Sequence, residues 1–99
     1  MSEISITREE ADGAGRYVTR VDGVEAEMTF KWGEKDGRKL LVIKHTGVPE
    51  ALGGHGVGLA LVKRAVDDAR GEGFKVVPLC SFARVMFERH KDWQDVLAE

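Results

Sequence analysis

The sequence has little of several features that mark particular classes of protein. Its one cysteine, Cys80, excludes an internal disulfide, and a reducing cytoplasm is the expected location. Its apolar runs fall short of the roughly 20 residues that span a bilayer, and residues 1–5 lack a signal peptide's basic and apolar regions. Neither sign of charge dominates, since the net charge is −2, so no nucleic-acid or membrane partner is expected. The cysteine and histidines lack zinc spacing, so no metal site is predicted.

The composition indicates a single soluble globular domain. The chain has 99 residues, of which 42% are hydrophobic and 32% charged, which allows one modest core and argues against disorder. Residues 1–99 are therefore interpreted as one domain. A monomer or a weak dimer is expected.

The hydrophobic pattern predicts a mixed α/β (α+β) chain. The third strand alternates apolar and polar residues and is typical of a half-buried antiparallel strand. A helix crosses between the fourth and fifth strands, so these two are expected to be parallel. The predicted helices cover residues 60–70 and 82–89, with Ser81 as the N-cap of the second. The predicted strands cover residues 4–7, 16–21, 24–32, 39–44 and 74–79.

The stretch 52–59, Leu-Gly-Gly-His-Gly-Val-Gly-Leu, is the most informative part of the sequence. It lies between a predicted buried strand and an amphipathic helix, which places bare backbone N–H groups at a helix N-terminus, a site suited to phosphate. A Walker loop is excluded because Leu59 and Ala60 follow Gly58 instead of lysine and a hydroxyl residue. A dinucleotide fingerprint is excluded by the glycine spacing. A flexible turn without a ligand is the alternative.

Several short motifs together resemble the GNAT superfamily of N-acetyltransferases, above all its short members of about a hundred residues. The superfamily signature, Gln or Arg followed by x-x-Gly-x-Gly or Ala, is similar to residues 53–58, with Gly53 replacing the leading side chain. The short members also resemble this chain in His45-Thr46-x-Val48-Pro49 and in the segment 75–83. Similarity continues through Glu88-Arg89-His90 and Trp93-Gln94-Asp95. The resemblance covers residues 24–97.

This resemblance implies a GNAT fold, a mostly antiparallel sheet with a parallel β–α–β unit and flanking helices. It implies that acetyl-CoA binds with its pyrophosphate on the glycine loop and its pantetheine arm between the splayed fourth and fifth strands. It also implies transfer of the acetyl group to an amine of a small molecule or a protein. The implied cofactor-binding residues are Val48, Gly53, Gly54, His55, Gly56, Val57, Gly58, Cys80 and Phe82.

Two residues are candidates for chemistry. Many members of the superfamily use a tyrosine on the last helix as the acid, but the one tyrosine here, Tyr17, lies on an early strand. Cys80 lies between the last strand and the last helix, where the resemblance places it near the CoA sulfur as proton donor or nucleophile. His45, at the end of the fourth strand, is a candidate base. Packing alone is the alternative for Cys80, and a structural hydrogen bond for His45.

Three functions remain open at this point. Direct acetyl transfer from acetyl-CoA to an amine is favoured over an acetyl-cysteine intermediate. A vestigial CoA-binding module is the second function, because little chain is left to build a substrate pocket and the usual acid is missing. A generic phosphate or nucleotide binder is the third. Glu25 and Glu27 are interpreted as a solvated face, with an amine-binding role as the alternative.

Overall fold

The fold is known from a computed structural model that describes residues 4–54 and 56–98. Within these ranges the strands are β1 (Ile6–Ala11), β2 (Ala14–Val21), β3 (Val24–Lys35), β4 (Arg38–Gly47) and β5 (Lys75–Pro78). The α-helices are α1 (Val57–Glu72) and α2 (Ser81–Arg89), and 3-10 turns cover Glu50–Leu52 and Lys91–Val96. None of the described helices is both long and apolar enough to cross a membrane.

One five-stranded sheet carries the fold, in the order β1-β2-β3-β4-β5. The first three pairings are antiparallel and β4 pairs with β5 in parallel, which confirms the predicted topology. Helix α1 makes the crossover between these two parallel strands. Its N-terminus therefore lies at the end of β4, as the glycine stretch required.

Tight Asp-Gly turns join the first four strands. In Asp12-Gly13, Asp22-Gly23 and Asp36-Gly37 both residues have positive φ, the conformation of a two-residue hairpin turn. The strands predicted at residues 4–7 and 16–21 had wrong bounds on either side of the first of these turns. The Asp12-Gly13 pair turns the chain by itself, so β1 and β2 extend to either side of it.

Strand β4 is longer than predicted and contains an irregularity. Ile43 pairs with Phe30 and His45 pairs with Thr29, so Lys44 is an extra residue on β4. Such a bulge reverses the side-chain alternation of the residues that follow it. The strand therefore continues past its predicted end at residue 44 and stays paired with β3 up to Gly47.

The hydrophobic core lies between one face of the sheet and the helices. Helix α1 buries the predicted stripe and begins three residues earlier than expected, at Val57. It ends before Gly73, whose φ of 80° allows the left-handed C-cap. The C-terminal elements add Phe87 and Trp93, whose rings pack edge to face with centroids 5.5 Å apart. The buried stripe of α1 comprises Leu61, Val62, Ala65, Val66 and Ala69.

The start of α2 differs from the prediction in its capping residue. Cys80, and not Ser81, is the N-cap, and its Sγ accepts a hydrogen bond from the backbone N–H of Ala83 at 3.4 Å. Because Pro78 ends β5, the chain reaches an extended backbone at Cys80 with φ −75° and ψ 146° before the helix begins. The thiol is therefore fixed at the helix N-terminus.

Candidate active site

Strands β4 and β5 diverge at their C-terminal ends. Their pairing ends at Ile43 and Pro78, and the backbone N–H of Leu79 donates the last hydrogen bond to the carbonyl of Ile43. Strand β4 continues to Gly47 paired with β3, and β5 does not accompany it. A gap therefore opens beside the last residues of β4, whose edge on this side has no partner strand within the described residues.

A cleft of about 620 Å³ opens at this divergence, between the glycine loop, the first turn of α1 and one side of α2. Seven of its lining residues are those named from sequence: Val48, Gly53, Gly54, Gly56, Val57, Gly58 and Phe82. The other lining residues were not among the cofactor-binding residues named from sequence, although Leu52 and Leu59 belong to the stretch 52–59. These other lining residues are Thr46, Pro49, Glu50, Leu52, Leu59, Met86, Arg89 and His90.

The glycine loop places the N-terminus of α1 at this cleft. Gly56 is the N-cap of α1 with φ 72°, and it has no side-chain capping bond. The first intrahelical bond runs from the N–H of Ala60 to the carbonyl of Gly56, so the preceding N–H groups lack acceptors within the helix. The first turn has no acidic residue that would compete for them. The predicted cofactor residue His55 lies outside the described residues.

The residues present fit acetyl-CoA, the cofactor that the resemblance implies. Helix-terminal N–H groups suit its pyrophosphate, and the free edge of β4 suits the amides of its pantetheine arm. Apolar side chains of Val48, Phe82 and Met86 line the cleft, and Arg89 adds a cation near its rim. Gly53, at the position of the Gln or Arg of the GNAT signature, has an ordinary φ of −61° and ψ of 140°, but an added Cβ would lie only 3.2 Å from the carbonyl oxygen of Glu50.

Lys63 does not replace that missing side chain in the structure. Its Nζ lies 3.0 Å from Oδ2 of Asp67, one turn further along α1, and Lys63 does not line the cleft. Among the described residues that line the cleft, Arg89 is the one with a cationic side chain.

Gly58 and Phe82 bring α1 and α2 into contact at the cleft. A Cβ added at Gly58 would lie 2.5 Å from Cζ of Phe82, so the Phe82 ring would have to shift. The absent side chain of Gly58 therefore lets the Phe82 ring lie against the first turn of α1. The close approach gives a structural reason for the last glycine of the motif.

We expect Gly58→Ala to destabilise the protein by about 1–2 kcal/mol, because overpacking outweighs the gain in helix propensity. Gly71→Ala is the matched control, since Gly71 lies in the same helix with open space at its Cβ. The control should be stabilised by roughly 0.5–1 kcal/mol. Urea denaturation measures both. Equal stability of the two variants would show that the Phe82 ring is not held against α1.

His90 and Arg89 form one end of the cleft, at the C-terminus of α2. The His90 ring stacks on Trp93 with centroids 4.0 Å apart, and its Nδ1 lies 2.9 Å from the carbonyl of Met86. Because a carbonyl only accepts, Nδ1 carries the proton and donates, which leaves Nε2 without that proton in the neutral ring. Arg89 and His90 thus both belong to the lining of the cleft.

Cys80 lies next to the cleft but is not part of its lining. Its half-buried sulfur contacts two groups, the N–H of Ala83 and the hydroxyl oxygen of Thr46, each at 3.4 Å. Thr46 does line the cleft. The Thr46 hydroxyl thus connects the thiol to the cleft, a contact that spans the gap between the diverging strands and that sequence reasoning missed.

His45 lies apart from Cys80. It pairs with Thr29 on β3, whereas Thr46 pairs with the buried Met28, so His45 and Thr46 point to opposite faces of the sheet. The exposed imidazole lies over Gly47, where an added Cβ would be 3.3 Å from Nε2. His45 therefore faces away from Cys80, although β4 and β5 are neighbouring strands.

Three other residues considered from sequence, Tyr17, Glu25 and Glu27, have structural partners. Tyr17 is fully buried beneath α1 and donates a 2.8 Å hydrogen bond to Oδ2 of Asp68, and burial raises the pKa of its hydroxyl well above the usual value. Glu25 and Glu27 both pair with Arg16 on the strand beside them. None of these three lines the cleft. Across residues 4–54 and 56–98, no cluster of three metal-ligating side chains occurs.

Comparisons with known proteins decide the family. The sequence model of the GCN5-related N-acetyl-transferase family matches residues 16–96. The chain belongs to this family. Acetyl transfer is the activity that this membership supports. No curated protein matches the chain at a significant level.

Solved structures of GNAT proteins are similar to this fold. A GCN5-like N-acetyltransferase candidate from Staphylococcus aureus is 33% identical, with a TM-score of 0.71, and the alignment covers 99% of this chain and 91% of that one. A ribosomal-protein-alanine N-acetyltransferase from Brucella melitensis biovar Abortus 2308 has a TM-score of 0.67 at 22% identity. The alignment covers 90% of this chain and 64% of the Brucella protein, and this second likeness concerns the fold alone.

Proposed function

We propose that this GNAT protein transfers an acetyl group from acetyl-CoA directly to an amine, with Cys80 as the proton source for the departing thiol. The observation that carries the proposal is the cleft, which combines bare N–H groups at the start of α1 with a free strand edge beside Thr46. Val48, Phe82 and residues 53–58, His55 included, are the proposed cofactor-binding residues, and Cys80 lies behind Thr46.

The reaction requires the protein to bind the two substrates and to transfer protons. When bound, acetyl-CoA supplies an activated thioester. The neutral amine forms a bond to the carbonyl carbon as the carbon–sulfur bond breaks, the sulfur receives a proton and the amine nitrogen loses one. The thiol of Cys80 provides the first proton by way of neighbouring groups, and its sulfur keeps the Ala83 N–H as a hydrogen-bond donor. Solvent or a base accepts the proton that the amine releases.

His45 stays a prediction as the base. It lies on the sheet face opposite Thr46, so it can serve only an amine that reaches the end of β4 from that side. The amine itself belongs to a small molecule or a protein. Cytoplasmic location, like a monomeric or weakly dimeric state, also stays a prediction.

Ligand competition tests the cofactor. We expect acetyl-CoA and CoA to raise the melting temperature by mass action, while ATP and NAD at equal concentration raise it much less. ATP and NAD also carry phosphate groups, but they lack the pantetheine arm that the β4 edge would bind. Equal stabilisation by all four ligands would favour a generic phosphate binder.

Turnover tests the transfer. Incubation with acetyl-CoA and a panel of primary amines, polyamines and peptides should release free thiol above the rate of spontaneous hydrolysis. Tight acetyl-CoA binding without turnover on any amine would favour the CoA-binding module. Loss of both binding and turnover would contradict the proposed function as a whole.

A further inference from the structure

We propose that Thr46 is a functional residue that passes the Cys80 proton into the cleft. The inference rests on the proposed function, since it needs an acetyl donor in the cleft. Thr46 lines the cleft and Cys80 does not, while Thr46 Oγ1 and Cys80 Sγ are 3.4 Å apart. The hydroxyl is therefore the polar group that contacts both the thiol and the space where the donor binds.

The bulge in β4 determines that Thr46, and not His45, faces Cys80. Ile43 faces the core, and regular alternation would place His45 on the same face and Thr46 on the other. Because Lys44 is an extra residue, Thr46 pairs with the core residue Met28 and faces Cys80 instead. The irregularity thus brings a hydroxyl, and not an imidazole, to the thiol.

The proposed relay takes the thiol as the donor. Sγ accepts the N–H of Ala83, and in the Sγ–Oγ1 pair either atom can donate, so the thiol can give its proton to Thr46 Oγ1. In this arrangement the hydroxyl proton of Thr46 is left to donate into the cleft that Thr46 lines. Thiol, hydroxyl and cleft form one donor chain.

The proton transfer balances along this chain. Cys80 gives its proton to Thr46 Oγ1 as Thr46 gives its own hydroxyl proton to the departing sulfur, so an S–H and an O–H bond break and the same two kinds form. Thr46 ends unchanged. Cys80 ends as a thiolate that accepts the Ala83 N–H, and it recovers a proton from solvent, which takes up the proton released by the amine.

Vibrational spectroscopy tests the resting hydrogen bond without any turnover. The chain has one cysteine, so a band in the S–H stretching region of a Raman spectrum belongs to Cys80. We expect Thr46→Val, which keeps the shape but removes the hydroxyl, to move this band to higher wavenumber because the thiol loses its acceptor. Thr46→Ser should keep the original position. Thr29→Val is the matched control, since Thr29 lies on the opposite face beside His45.

Kinetics test the transfer itself with the best amine of the panel. We expect Thr46→Val to lower kcat on the order of 10- to 100-fold with little change in the KM for acetyl-CoA, as general-acid steps contribute at least this much. Thr46→Ser should restore most of the rate. In a Cys80→Ala background the loss from Thr46→Val should nearly vanish, because both residues act in one chain.

An unmoved S–H band in Thr46→Val, or an unchanged kcat in a variant whose band has moved, would overturn this inference. Thr46→Ala replaces Thr46→Val if the latter fails to fold, as judged by thermal denaturation. Failure of the proposed function looks different, because the wild-type protein would then either not bind acetyl-CoA or bind it without turning over any amine of the panel. Normal binding by wild type and by Thr46→Val, with identical S–H bands, would refute the role of Thr46 alone.

Discussion

Gly56→Val should abolish most acetyl-CoA binding, weakening it by roughly 10- to 100-fold, as expected when one or two charge-assisted hydrogen bonds are lost. Gly56 caps α1 in the left-handed region at φ 72°, where a β-branched residue is strongly disfavoured. Its replacement turns the loop out of that conformation and moves the N–H groups of the first turn. The added methyl groups also occupy the space through which a phosphate approaches. Isothermal titration calorimetry measures the affinity.

A matched variant separates binding from backbone strain. Gly37 has a similar φ of 77° and open space at its Cβ. It lies in the β3–β4 turn, at the end of β4 opposite to the glycine loop. Gly37→Val should therefore lose comparable stability and keep its affinity for acetyl-CoA. Unchanged affinity in a folded Gly56→Val protein would remove the glycine loop from the site.

Cys80→Ala should lower the rate of acetyl transfer by about 100-fold or more, within the range of a lost general acid, without changing acetyl-CoA affinity. Cys80→Ser should keep part of the rate, because its hydroxyl can still donate and can cap α2 as the sulfur does. Ser81→Ala is the control variant and should keep the rate, since Ser81 is exposed and Cys80 supplies the cap of α2. Initial rates with the best amine measure all three variants.

The same residue distinguishes two reaction paths. Direct transfer predicts that intact-mass spectrometry finds the unmodified chain after mixing with acetyl-CoA in the absence of amine. The position of Cys80 behind Thr46 favours this result, because the sulfur does not line the cleft and cannot meet the thioester without moving. A stoichiometric acetyl adduct on Cys80 that an amine then discharges would establish covalent catalysis instead.

Local patterns in the sequence were sufficient for most of the architecture. The alternation in β3, the apolar stripe of α1 and the Asp22-Gly23 turn are properties of neighbouring residues, and the structure has all three. The parallel pairing of β4 with β5 followed from the helix between them. Short-range patterns also located the glycine loop, because a strand, a glycine-rich turn and a helix can be recognised in consecutive residues.

The tertiary structure alone decided which side chains meet in the cleft. His45 and Thr46 are neighbours in sequence, and one extra residue in β4 determines which of them faces Cys80. Arg89 and His90 reach the same cleft because α2 lies beside the first turn of α1, a packing that depends on Gly58 and Phe82. Bulges and helix contacts depend on the fit of distant residues, and a single-residue shift reverses a strand's faces. The sequence therefore determined the loop and the fold, while long-range packing determined the partner of the thiol.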